Sequence, residues 1–504
     1  MLPKSITLVR NSNQAIGLGS YAIDFLSGKY PPPSEVVLAR VEQFHLDSVA
    51  CAVSAIALGA NAPTVLRKEA LQYRQSAAAK GATCFGSSVG VAPEKAVLAN
   101  CAAVREWDAN GTNFGYNPEL HATAGEFGHN DYYPVVVAAA QVAGLDGRQL
   151  MLGMLLLDEI RGRLAEVFSL KDYNIDHVVH GAIASAAVYG AMVGASAPQI
   201  ESAIGLLVAH YVPYRAIRSG HQLSDSKGAS AAFSAEMAVL SVRRAVEGFV
   251  GPADIFRNRQ ALFCLCQPAP SPEESPFDLS LTTSGERFAV MGMHFKLGLY
   301  EHQSAGAIQG LLSLLGKYPQ LITSQQLPTR VRITIYEPAY GIICDPAKRD
   351  PQTRQTADHS VLYIIAALLE KAWRLQKAGW KELMLMPADY APQRLRDSTI
   401  RQLIDRIEVV HGGPEYDTKY PDGIPTSLEL EHDEVGVVSS GLVMYPAGHV
   451  RNNTAPLEEL LDYKFHQLAA LGVTKSNDLA ARFKDLSRAS SEEVAALYTF
   501  DIDK

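Results

Sequence analysis

The sequence predicts a mainly α protein with an α+β second domain, that is, a large all-helical domain and a smaller domain mixing helices with a sheet. Three observations lead there. The first half is rich in alanine, with apolar residues recurring every three or four positions. A proline- and serine-rich stretch near residue 275 breaks that pattern. Beyond it, short alternating or apolar runs of strand character stand between helices.

In chain order, helices are expected at 34–58, 92–105, 133–142, 149–168, 178–193, 198–209 and 229–246. Ala and Gly there allow helices to approach closely. The segment HGAIASAAVYGAMVGAS is apolar nearly all round, which predicts a helix inside a bundle rather than on its surface. QPAPSPEESPFDLSLTTSGE holds four prolines among serines and acids, as a linker or exposed loop would. VRITIY, IEVVHG, LELEH and VGVVSSGLVMY then read as strands of a small antiparallel sheet, with helices at 303–315, 360–376 and 391–407. The last segment, 456–498, returns to helical periodicity. A chain of 504 residues exceeds what one core usually organises. The expected division is 1–285 for the helical domain, 286–445 for the α+β domain, and 446–504 for helices that dock back onto the first.

The composition limits function by exclusion. Apolar residues make up 47% and charged residues 19%, mean hydropathy is near zero, and the net charge is -8. No long basic run or aromatic RNA-binding motif occurs, so nucleic acid is not an expected partner. No apolar run approaches the roughly 20 residues needed to span a bilayer, and no membrane association is expected. Six cysteines without a signal-like leader fit reduced thiols inside a cell, cytoplasmic or in a mitochondrial matrix if the source is eukaryotic. Cys264 and Cys266 lack the spacing of a zinc or iron-sulfur site, so no metal and no cofactor is expected. Phosphate-loop, zinc-helix and nucleophile-elbow signatures are absent.

Four segments carry groups suited to acid-base chemistry or anion binding. REWDANGTNFGYNPELHATAGEFGHNDYY, Gly-rich between two apolar helices, holds Arg105, Asp108, Asn110, Thr112, His121, His129 and Asp131. YRAIRSGHQLSDSKGASAAF brings Arg215, Arg218, His221 and Lys227 to a helix start, where unpaired backbone N–H groups favour an anion. MHFKLGLYEHQSAGAI contributes His294, Lys296, Glu301 and His302. QTADHSVLYIIAALL places His359 and Tyr363 four residues apart on one helical face. Taken singly, each segment reads more readily as a capped loop, a basic surface or satisfied interior groups.

Together, these segments, with DHVVHGAIASAAVYGAMVG and YPAGHVRNN followed by LEELLDYKF, resemble the MmgE/PrpD family, and within it the 2-methylcitrate dehydratases. The likeness runs from about residue 15 to 471 and rests on the order of the motifs. It implies an inserted α+β lid over a helical domain, a site between them, a homodimer, and dehydration of a small tricarboxylate in propionate breakdown. By motif, it implies catalytic roles for Asp108, His129, His302 and Tyr363, and substrate contacts from Thr112, Arg218, Lys227, Lys296 and His359. Asp108 would fix the ring of His129. Tyr363 or His302 would be the opposing acid or base. GHND stands where relatives carry His-Pro-Ser, and the chain is shorter between Lys296 and His302. Decarboxylation of cis-aconitate to itaconate, or tricarboxylate binding without catalysis, are the alternative expectations.

Overall fold

The computed structural model describes residues 4–76, 80–218, 221–269, 271–324 and 326–503. Among the described residues, nine long helices build the first domain: α1 (Gln14–Leu26), α2 (Glu35–Ala57), α3 (Asn61–Ala70), α4 (Pro93–Arg105), α5 (Tyr133–Ala143), α6 (Gly147–Val167), α7 (Val178–Met192), α8 (Ala197–His210) and α9 (Ser226–Val246). Their ends follow local chemistry. Asp146 caps α6 by accepting from Gln149 N at 2.9 Å, and Ser196 with Gln199 forms a capping box on α8. α1 and α3 add to the helices expected from periodicity.

The uniformly apolar α7 lies at the centre, against α1, α5, α6, α8 and α9. Every face therefore finds an apolar partner, which is why its sequence carries no polar stripe. Gly181 makes this close approach possible, since a Cβ there would sit 2.1 Å from the Tyr132 ring.

The stretch read as a linker instead belongs to the helical domain. Leu279–Thr282 pairs antiparallel with Ser5–Leu8, and Arg10 clasps the Asp278 carboxylate. The backbone hydrogen bonds of an edge strand outweigh the turn character of the prolines preceding it.

The second domain carries a four-stranded sheet in the order Gly436–Val443, Thr426–His432, Arg330–Ile335, Ile407–His411. The expected antiparallel sheet is corrected here to a mixed one, because Arg330–Ile335 and Ile407–His411 run parallel. Helices Val361–Leu375 and Ser398–Asp405 occupy the connection between them, giving the long crossover that parallel neighbours need. The single helix expected over 391–407 divides into Pro392–Leu395 and Ser398–Asp405, since the Asp397 carboxylate accepts from Thr399 N and Ile400 N and starts a new helix.

The closing helix Leu457–Ala469 lies along α2, and Ser491–Ala495 against α5 and α6. One continuous apolar core runs through both domains. Among the described residues, no single helix is long and apolar enough to cross a membrane.

Candidate active site

The loop between α4 and α5 is the foundation of the site. After Arg105 ends α4, Thr112–Asn113 pairs antiparallel with Gly128–His129, setting Thr112 opposite His129. Thr112 also exchanges backbone hydrogen bonds with His294, at 3.0 and 2.7 Å, which ties the loop to the segment carrying Lys296. Tyr300 N donates to the Asp108 carbonyl and Glu301 N to that of Asp358, both within 2.9 Å. Backbone pairing thus joins four sequence-distant segments at one place. Gly111 is required in this weave because a Cβ would lie 2.1 Å from Asn130 Oδ1 and 2.4 Å from the Phe44 ring.

A cavity of about 40 Å³ opens where the domains meet. Arg105, Asp108, Thr112, His129, His177, Arg215 and Arg218 line it from the helical side, and Glu301, Gln303, Ile342 and His359 from the other. Phe114 and Phe127 complete its apolar wall.

Asp108 is the electrostatic centre. It pairs with Lys296 and stands 3.3 Å from Lys227 Nζ, 3.5 Å from Arg105 Nη1 and 3.1 Å from His359 Nδ1. Burial alone would raise its pKa, but Arg105, Lys296, Lys227 and His359 outweigh it and hold the carboxyl well below the usual range. Asp358 lies beside it, 2.5 Å from Lys227 Nζ and 3.1 Å from His359 Nδ1. With two carboxylates at Nδ1, that nitrogen carries the proton and Nε2 keeps its lone pair.

Three imidazoles line the cavity, and all are held neutral. Burial, together with Lys227, brings His359 down to about 3. Burial, with Arg105 and Lys296, lowers His129 well below its ordinary value. His177 is lowered by burial despite Asp176 at 3.4 Å. The His129 and His177 rings lie 5.0 Å apart, and His129 Nδ1 has no hydrogen-bond partner among the described residues. Arg218 grips Asp176 with two hydrogen bonds, at 2.7 and 3.2 Å. Burial pushes the Glu301 carboxyl up to about 7, reinforced by Asp108 and opposed by Lys296.

The structure thus brings Asp108, Thr112, His129, Arg218 and His359 to one cavity and leaves four other candidates off its wall. Lys227 and Lys296 stand behind the wall, on Asp108 and Asp358. Tyr363 Oη donates to the Asp389 carbonyl at 2.7 Å. His302 is buried in an aromatic stack with Phe114 and His294. The shared helical face for His359 and Tyr363 is corrected, because the helix begins at Val361 and His359 lies in the turn before it. Asp108 meets the ring of His359 and has no hydrogen bond with that of His129. His121 and His221 are exposed.

Sequence reasoning passed over His177 and treated Arg105, Arg215 and Glu301 only as members of polar segments. The signal for His177 was a histidine opening the all-apolar helix, preceded by Asp176. Asp108, Asp358 and His359 bring three potential metal donors within 4.8 Å. Lys227, Lys296, Arg105 and Arg354 already neutralise those carboxylates, so the cluster suits ion pairing rather than a dication.

Both halves of the chain match the models of one known protein family. The MmgE/PrpD N-terminal domain matches residues 25–274 and the MmgE/PrpD C-terminal domain residues 300–488. The chain belongs to the MmgE/PrpD family. Among its relatives is the 2-methylcitrate dehydratase of Salmonella typhimurium strain LT2, 23% identical over 373 residues, covering 71% of this chain and 69% of the relative. The protein of the same name from Salmonella typhi is 23% identical over 406 residues, 76% of each chain. That of Escherichia coli O157:H7 is 24% identical over 373 residues, covering 71% and 69%.

Proposed function

We propose that this protein is a hydro-lyase that dehydrates 2-methylcitrate to 2-methyl-cis-aconitate by side-chain acid-base chemistry. The observation that carries the reading is a junction cavity where three neutral imidazoles meet Arg105, Arg215 and Arg218, with one imidazole oriented by two carboxylates. The relatives' names point to the same reaction class.

Dehydration needs a base for a weakly acidic C–H beside a carboxylate and an acid for the departing hydroxyl. His359 is placed as the base. Its Nδ1–H is hydrogen-bonded to Asp358, with the Asp108 carboxylate also 3.1 Å away, and its Nε2 takes the proton. A bound trianion raises the basicity of this imidazole, which burial and Lys227 keep low in the free protein. Glu301, with its carboxyl raised to about 7, keeps its proton in roughly half of the molecules at neutral pH, and that form delivers it to the hydroxyl. The hydroxyl leaves as water and the double bond forms between the two carbons. Arg105, Arg215 and Arg218 bind the carboxylates and stabilise charge that grows on one of them as the proton departs. His129 and His177 serve as neutral hydrogen-bond donors.

The cavity is far smaller than the roughly 300–1,000 Å³ of ordinary ligand pockets. Substrate binding in this reading therefore includes separation of the lid from the helical domain.

The test is to incubate purified, metal-stripped protein with 2-methylcitrate, citrate and cis-aconitate in turn and identify products by mass. Formation of 2-methyl-cis-aconitate, unaffected by chelator, is expected. Itaconate from cis-aconitate with no dehydration overturns the reading in favour of a decarboxylase. Thermal stabilisation by these acids without turnover marks a binding protein instead.

A further inference from the structure

Lys464 lies on the closing helix Leu457–Ala469, and its side chain is fully buried. Its ammonium donates to Asp47 Oδ1 on α2 at 2.6 Å, to the Ala109 carbonyl at 2.5 Å and to the Lys296 carbonyl at 2.8 Å. A lysine ammonium has three N–H donors. All three are used, and each reaches a different segment of the chain. Lys464 does not line the junction cavity.

Two of these acceptors mark the function of the arrangement. Ala109 follows Asp108 directly, and Lys296 is the ion-pair partner of Asp108. Among the described residues, neither carbonyl accepts a backbone N–H. The ammonium therefore completes the hydrogen bonding of two buried peptide groups on either side of the pair at the centre of the site. A lysine serving only to neutralise Asp47 would need one acceptor.

We propose that Lys464 is a positioning residue for the active site. It fixes the backbones of Asp108 and Lys296 relative to each other, and through Asp108 it holds the Nδ1 side of His359. The closing helix in this view is part of the active-site scaffold, although some 350 residues separate Lys464 from Ala109. The kinetic arm of the test rests on the dehydratase reading, and the exchange arm does not.

Lys464→Met alone leaves Asp47 buried without a counter-ion and is expected to fold poorly. The decisive variant is the double substitution Lys464→Met with Asp47→Asn, which removes both charges together. Hydrogen exchange is measured on the folded double variant, with the unmodified protein as reference. Amides of residues 106–113 and 294–300 are expected to exchange at least tenfold faster, while those of α7 keep their protection. In the assay for 2-methylcitrate dehydration, kcat falls at least tenfold with KM within threefold, and the pH profile of kcat shifts. Lys464→Arg keeps the charge but lacks the tetrahedral donor geometry, and it too lowers kcat. Unchanged exchange in both segments of a folded double variant overturns the proposal, as does full kcat in Lys464→Arg. Absence of turnover in the unmodified protein would instead defeat the dehydratase reading and leave the exchange result to decide on Lys464.

Discussion

Replacing Asp108 by asparagine removes one negative charge from the centre of the site with almost no change in shape. Four basic groups face that carboxylate: Lys296, Lys227, Arg105 and His359. Asp358 continues to compensate Lys227 and His359, and Asp131, 3.6 Å from Arg105, continues to compensate that guanidinium. Lys296 is left buried with no ion pair among the described residues. Breaking a buried pair costs about 3–5 kcal/mol, and with one of four partners abandoned the lower figure applies, about 3 kcal/mol. An unfolding entropy of about 2.1 cal/mol/K per residue gives roughly 0.7 kcal/mol/K for a unit of about 350 residues, so Tm falls by about 4 °C. The sign with pH follows from the depressed folded-state pKa of Asp108. Its stabilisation is fully present above the unfolded value near 4 and is lost as pH falls below that towards the folded value. Scanning calorimetry at pH 7 and pH 3 should therefore show a deficit that shrinks in acid. Turnover of 2-methylcitrate should fall about 100-fold, less than the ~10⁴ seen when a lone orienting carboxylate is neutralised, because Asp358 still holds Nδ1. A Tm within 1 °C of the unmodified protein at pH 7, or an equal deficit at both pH values, would refute this account.

Other outcomes follow from the same geometry. Glu301→Gln should lower kcat by a factor on the order of 10²–10⁴ and abolish the loss of kcat/KM expected of the unmodified protein as pH rises through about 7. The Glu301 carboxyl is raised above its unfolded value near 4.3, so ionising it in the folded protein costs stability between about pH 4 and 7. Glu126, also raised to about 7 by burial, does the same, and denaturant titrations of Glu301→Gln should show a reduced but not absent decline over that window. Arg215→Gln, at the partly exposed side of the cavity, should raise KM about tenfold, equivalent to about 1.4 kcal/mol, with Tm nearly unchanged; an unaltered KM in steady-state kinetics would remove Arg215 from substrate binding. Gly111→Ala must displace Asn130 or Phe44, which should cost about 1–3 kcal/mol in urea unfolding and most of the turnover.

The sequence by itself determined seven of the nine long helices of the helical half, all but α1 and α3, and the family. Alanine-rich periodicity and the wholly apolar 178–193 segment leave little alternative to a bundle with a buried central helix. It also marked Asp108, Thr112, His129, Arg218 and His359, through the resemblance of their segments to the family's motifs, since each segment by itself reads as a capped loop, a basic surface or interior groups. Strand direction was decided only in three dimensions: Arg330–Ile335 and Ile407–His411 have the same apolar character in a parallel or an antiparallel sheet, and only the helices crossing between them require the former. The placement of the cations was likewise decided only in three dimensions. Lys227 and Lys296 look like substrate-binding lysines in sequence, yet their ammonium groups lie on Asp108 and Asp358, while Arg105, Arg215 and Arg218 line the cavity. Tyr363 was drawn away by a backbone carbonyl at Asp389, a partner no spacing rule reveals. The physical reason is common to all of these. Periodicity records which face of an element is buried, a local property of 3.6 or 2 residues. Which charge neutralises which depends on contacts between residues hundreds of positions apart, and these exist only once the two domains have closed around Asp108.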